Sequence, residues 1–110
     1  MQVYNKLVRD KIPEIISNNG EIPITRVLDD VEYKSELENK LYEEYKEVIE
    51  SSGQDRLEEL ADMLEIIRAM AKLEQSSLEE IIEIADVKDC KRGAFDKKMF
   101  LEKVILEDKD

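Results

Sequence analysis

Four carboxylates in two short motifs are the residues of this chain best suited to chemistry. Glu44 and Glu47 form an E-x-x-E motif, and Glu59 and Asp62 form an E-x-x-D motif farther along the chain. Side chains three residues apart share one face of an α-helix. If the two segments are helices that pack side by side, their carboxylates form one cluster. Like charges in such a cluster repel strongly, and a hard divalent cation relieves that repulsion.

Two long amphipathic helices must position these motifs. Apolar residues recur at helical spacing over residues 30–51 and again over residues 55–73, with Asp55 as the cap of the second helix. A break at Ser51-Ser52-Gly53 separates the two segments. Because this connection is short, we expect the helices to form an antiparallel pair.

Shorter elements flank this pair. Asp10 is a candidate cap for a short helix that runs to about Asn19, and the β-branched residues 22–27 are the best candidate for a strand. Ser77 is expected to open a last helix that ends near Cys90 and is followed by a basic loop. The pattern therefore predicts an all-α fold with minor β structure, as one domain over residues 1–110.

Glu59 is the acidic residue whose position argues most for a function. Glutamates at this spacing are common on solvated helices, but Glu59 shares its helix face with Met63, Ile66 and Met70. An acidic side chain within an apolar face needs a partner. Mg²⁺ prefers oxygen ligands and keeps several waters, which leaves room for substrate phosphates.

Composition restricts the classes of function. The 110 residues include 28 acidic and 17 basic side chains, a net charge of −11, which disfavours binding to a nucleic-acid polymer. The absence of histidine excludes His-based triads and His-ligated zinc sites. A single cysteine and the lack of a long apolar run predict a cytoplasmic protein without disulfides or a membrane span.

Together with their flanks, the two motifs resemble the signature of the all-α NTP pyrophosphohydrolases, in particular the MazG-like branch. Residues 40–48 resemble the first helical block of that family, and residues 58–64 resemble the second, with Ala61 where glycine is common. Residues 4–13 and 91–95 are similar to a subgroup labelled phosphoribosyl-ATP pyrophosphohydrolase-like.

The resemblance implies an activity and its catalytic residues. Glu44, Glu47, Glu59 and Asp62 would hold Mg²⁺, or alternatively Mn²⁺, for hydrolysis of the α–β phosphate bond of a nucleoside triphosphate or related nucleotide. The products would be a nucleotide monophosphate and pyrophosphate. Family members are dimers or tetramers, which agrees with an apolar second helix that a homo-oligomer would cover in a four-helix-type bundle.

An acidic enzyme of this kind also needs bases that hold the substrate phosphates. The candidates lie beside the motifs and in two basic clusters near the ends of the chain: Lys40, Lys6, Arg9, Lys91 and Arg92. Arginine suits phosphate better than lysine because its guanidinium group can make two parallel hydrogen bonds.

Two alternatives stay open at this stage. Within the enzyme class, the substrate could instead be phosphoribosyl-ATP, a dNTP or a modified NTP, since base selection depends on pocket shape. Outside it, the chain could be a non-catalytic acidic helical interaction module. The module predicts that Glu59→Gln is neutral or stabilising and that Mg²⁺ has no effect.

Overall fold

The computed structural model describes residues 1–107 and contains four helices and no strand in that range. The helices are α1 (Ile12–Asn18), α2 (Asp30–Glu50), α3 (Gly53–Leu73) and α4 (Leu78–Arg92). The predicted all-α class is confirmed. The last three residues of the predicted domain lie outside the described part. None of the described helices combines the length and the apolar character that crossing a membrane requires.

Helix α2 begins at a well-formed cap. The side chain of Asp29 accepts a hydrogen bond from the backbone N–H of Glu32 at 2.8 Å, which satisfies one of the free donors of the first turn. Asp30 and Glu32 add negative charge at the positive end of the helix dipole. The helix then runs to Glu50, as the spacing of its apolar residues predicts.

The connection between α2 and α3 consists of two extended residues. Ser51 caps the end of α2, where its backbone N–H and its Oγ both donate to the carbonyl of Val48. Gly53 then starts α3 with φ of +59°, a left-handed conformation that glycine adopts without steric cost. The helix therefore starts before Asp55, which lies in its first turn, so the prediction of Asp55 as the cap is wrong.

The chain divides into two compact units, and the first, Met1–Leu78, holds the packed helices. In it α2 and α3 pack against each other. Their short connection makes the pair antiparallel, as predicted. The buried residues of the pair lie toward the end away from the connection: Leu37, Ile66 and Ala71. Near the connection, Ile49 and Leu57 are each 60% exposed.

Two predictions for the start of the chain are wrong. Residues 22–27 form no strand, because no other segment among the described residues pairs with them. Ile22, Ile24 and Val27 are all largely exposed, so β-branched side chains alone did not create a strand. The residue that precedes α1 is Lys11 rather than Asp10, and it makes no side-chain cap hydrogen bond.

The second unit starts at Glu79 and contains nearly all of α4. This helix continues past Cys90, so Lys91 and Arg92 lie in its last turn and not in the predicted loop. Two positive charges suit the negative end of a helix dipole. The described residues that follow, 93–107, form neither helix nor strand.

Candidate metal centre

The hairpin of α2 and α3 brings three of the four predicted carboxylates together. One carboxylate oxygen from each of Glu44, Glu59 and Asp62 lies within 4.8 Å of the other two. We call these three residues the acidic cluster. Glu44 and Glu59 lie about two helical turns from the connection, one on each helix, and an antiparallel pair places such positions at the same level.

Glu47 lies outside this trio of oxygens and is exposed. It nevertheless lies close to the cluster, near enough to Glu59 for the two carboxyl groups to share a hydrogen bond when one of them holds a proton. Glu47 lies one turn after Glu44 on α2, which explains why the two flank Glu59 together. Its assignment as a metal ligand stays a prediction.

Two oxygens of the cluster are buried without a donor. The Oε2 atoms of Glu44 and Glu59 are shielded from solvent, and no N–H or O–H group of the described residues donates to them. The carboxyl groups can hydrogen-bond to one another only when one of each pair holds a proton. Because a buried acceptor without a partner is costly, these two oxygens need either a proton or a cation.

The pKa shifts of the three glutamates agree with the need of the buried oxygens for a proton or a cation. Burial is the largest cause that raises the pKa of Glu44, and the charges of Glu47 and Asp62 raise it further, while Lys40 opposes the shift. A shared hydrogen bond with Glu59 raises the pKa of Glu47, and burial adds to it.

The pKa of Glu59 is also raised, although its contacts act in opposite directions. Its hydrogen bond with Glu47 lowers this pKa, whereas the hydrogen bond with Glu44, burial and the neighbouring charges together outweigh that effect. The three glutamates therefore hold protons more tightly than ordinary carboxyl groups do.

The cluster offers donor atoms of the kind that a hard divalent cation binds. Two ligand oxygens on opposite sides of Mg²⁺ are about 4.1 Å apart, since each Mg–O bond is about 2.05 Å long. Neighbouring ligands of an octahedral Mg²⁺ are only about 2.9 Å apart, so cluster oxygens that lie within 4.8 Å of one another would move closer together or bind through a bridging water. The donor set consists of oxygen atoms alone, which suits Mg²⁺ or Mn²⁺. The two buried Oε2 atoms without donors are the feature that a cation would satisfy.

One of the predicted bases reaches the cluster from the start of the chain. The guanidinium group of Arg9 donates to Oδ1 of Asp62 at 2.8 Å, across 53 positions of sequence. Lys40 lies on α2 one turn before Glu44, close enough for its charge to favour the ionised form of that carboxyl group.

The other predicted bases are not brought to the cluster by any described contact. The Nζ atom of Lys6 lies 5.7 Å from the centre of the Tyr4 ring, a local cation–π contact. Lys91 and Arg92 belong to the second unit. The phosphate-binding role of these three residues stays a prediction.

Comparison with known proteins yields one partial similarity. A curated protein of Mycolicibacterium smegmatis, described as an uncharacterized protein, is 44% identical to this chain over 50 residues. The match covers 46% of this chain and 51% of that protein, so the chain spans about half the length of the relative it matches. No protein-family model matches the chain, and no solved structure matches it.

Proposed function

We propose that this protein is a Mg²⁺-dependent nucleotide pyrophosphohydrolase of the MazG-like type, which acts in the cytoplasm. It splits the α–β phosphate bond of a nucleoside triphosphate or related nucleotide and releases pyrophosphate. The observation that carries the proposal is the acidic cluster itself, in which two buried carboxylate oxygens have no donor and an arginine lies alongside. Such a site combines cation ligands with a phosphate-binding base.

Each residue then has a distinct task. Glu44, Glu59 and Asp62 hold Mg²⁺, which when bound neutralises charge that develops on the phosphates. Glu47 is exposed and lies beside Glu59, a position from which it can complete the ligand set or accept a proton from the attacking water. Arg9 and Lys40 bind the phosphates, and Lys6, Lys91 and Arg92 are further candidates for that role.

We further propose that the protein acts as a homodimer or homotetramer. Three large apolar side chains of α2 and three of α3 recur at helical spacing and are all more than 40% exposed: Tyr42, Tyr45, Ile49, Leu57, Leu60 and Leu64. Exposed apolar side chains at this spacing on both helices favour association, and a second hairpin would complete a four-helix-type bundle. Light scattering should give a dimer or larger, and Leu64→Asp should shift the mass toward the monomer.

The activity itself is tested by pyrophosphate release. The purified chain is incubated with a panel of NTPs, dNTPs and phosphoribosyl-ATP, with and without Mg²⁺. We expect Mg²⁺-dependent release of pyrophosphate from at least one of these nucleotides. Glu59→Gln should abolish the release because it removes a charged ligand from the cluster, whereas Glu58→Gln is the matched control at an exposed neighbouring position.

The alternatives give different results. Release of orthophosphate would mean that another bond is cleaved and would contradict the mechanism. If no nucleotide is cleaved and Mg²⁺ with nucleotide does not raise the melting temperature, the chain is instead an acidic helical interaction module. Equal activity of Glu59→Gln and the unmodified protein would point to a contaminating enzyme.

A further inference from the structure

The ion pair between Arg9 and Asp62 joins two residues that have different partners in the proposed reaction, the cation for Asp62 and a phosphate for Arg9. Asp62 is a member of the acidic cluster, and Arg9 is a predicted phosphate-binding base. The pair spans 53 positions of sequence and connects the segment before α1 to the middle of α3. With the proposed metal bound, one carboxylate would face two different cations, the guanidinium group and the metal.

The pair is open to solvent on both sides. The side chains of Arg9 and Asp62 are 59% and 46% exposed, and exposed ion pairs contribute little to folding stability. Such a contact is easily exchanged for another one. A divalent cation at the cluster carries twice the charge of the guanidinium group and would repel it from Asp62.

We propose that Arg9 occupies Asp62 only until a divalent cation binds the acidic cluster, and that the released guanidinium group then binds a phosphate of the substrate. This inference rests on the proposed function and adds an order of binding to it, with the cation first and the phosphate second. Arg9 thus lowers cation affinity in the free protein and raises phosphate affinity in the cation-bound protein.

The geometry supports both halves of this exchange. The guanidinium group makes one hydrogen bond to Asp62, so a single exposed contact must break for it to leave the carboxylate. Because Arg9 already contacts a residue of the cluster, a phosphate held there by a cation would be within reach of its side chain. Guanidinium binds phosphate oxygens through two parallel hydrogen bonds, which gives the released side chain a second partner.

Calorimetric titration of the full chain tests the exchange without requiring turnover. Mg²⁺ is titrated alone, and inorganic pyrophosphate is then titrated at saturating Mg²⁺. We expect Arg9→Ala to bind Mg²⁺ about two- to five-fold more tightly than the unmodified protein, because a competing cation is gone. The same variant should bind pyrophosphate about ten-fold more weakly or worse.

Two further variants separate charge from geometry. Arg9→Lys keeps the positive charge, so its Mg²⁺ affinity should stay near that of the unmodified protein. Its pyrophosphate affinity should fall between those of the unmodified protein and Arg9→Ala. Arg26→Ala is the matched control, since Arg26 pairs with Glu32 at the same 2.8 Å distance and with similar exposure. It should change neither affinity.

The outcomes distinguish this inference from the function on which it rests. If the unmodified protein binds no Mg²⁺, the proposed function fails and the exchange fails with it. If it binds Mg²⁺ but Arg9→Ala binds Mg²⁺ equally or more weakly, only the exchange is overturned. If Arg9→Ala binds Mg²⁺ more tightly but pyrophosphate with unchanged affinity, the exchange is also overturned, because the released guanidinium group would then have no role at the phosphate.

Discussion

Replacing Glu44 by glutamine removes one negative charge from the acidic cluster while it preserves the shape of the side chain. Two carboxylate charges 4.8 Å apart repel by about 1 kcal/mol in water and by about 3.5 kcal/mol at an effective dielectric constant of 20. Glu44 is half-buried, and burial together with the neighbouring charges of Glu47 and Asp62 raises its pKa. We therefore expect Glu44→Gln to raise the free energy of unfolding by about 1–2 kcal/mol in EDTA at neutral pH.

In Mg²⁺, the stability advantage of Glu44→Gln over the unmodified protein should shrink or reverse. At a Mg²⁺ concentration of about 100 times Kd, the unmodified protein gains about 2.7 kcal/mol of stability. If the loss of one ligand raises Kd by about 10- to 100-fold, the variant gains only about 1.4 to 0.4 kcal/mol at the same concentration. Urea unfolding followed by circular dichroism measures the difference in the free energy of unfolding between the variant and the unmodified protein, once in EDTA and once in Mg²⁺.

The control for this prediction is Glu38→Gln, an exposed glutamate on the same helix. It removes the same charge from the chain but lies away from the motifs, so its effect should be small and independent of Mg²⁺. The reasoning is refuted if Glu44→Gln is less stable than the unmodified protein in EDTA. It is also refuted if Mg²⁺ stabilises the two proteins equally.

Three further predictions concern pH, the start of α2 and the core. The raised pKa values of Glu44, Glu47 and Glu59 mean that above the ordinary value of 4.5 the folded chain binds more protons than the unfolded chain. The urea midpoint in EDTA should therefore fall as pH rises from 4.5 through these pKa values, and a rising midpoint would contradict the assignment. Asp29→Ala should cost about 1 kcal/mol in thermal unfolding because it removes the cap of α2, whereas Asp29→Asn should cost little. Leu37→Ala should cost about 2–5 kcal/mol, since Leu37 is only 4% exposed, and a much smaller loss would mean that the core lies elsewhere.

The helical hairpin could be predicted from the sequence because its signals are local. Apolar residues at helical spacing mark α2 and α3, and the short break at Ser51-Ser52-Gly53 leaves room only for an antiparallel return. The spacing of the two motifs then predicts facing carboxylates, and Glu44, Glu59 and Asp62 do meet.

Features that depend on distant parts of the chain could not be predicted in this way. The β-branched residues 22–27 have the composition of a strand, but a strand needs a partner, and composition does not reveal one. Arg9 could be named as a candidate base, yet its contact with Asp62 joins segments 53 positions apart and leaves no periodic signal. The position of Glu47 outside the trio depends on side-chain geometry that helical spacing does not specify.

The two-residue connection between α2 and α3 also bears on the order of folding. Contacts that are local in sequence form quickly, and a helical hairpin can assemble within microseconds to milliseconds. The acidic cluster lies on this hairpin alone, whereas the contact between Arg9 and Asp62 must close a loop of 53 positions. During synthesis Arg9 leaves the ribosome long before its partner does. We therefore expect the arginine, although it is made first, to dock onto a cluster of carboxylates that is already assembled.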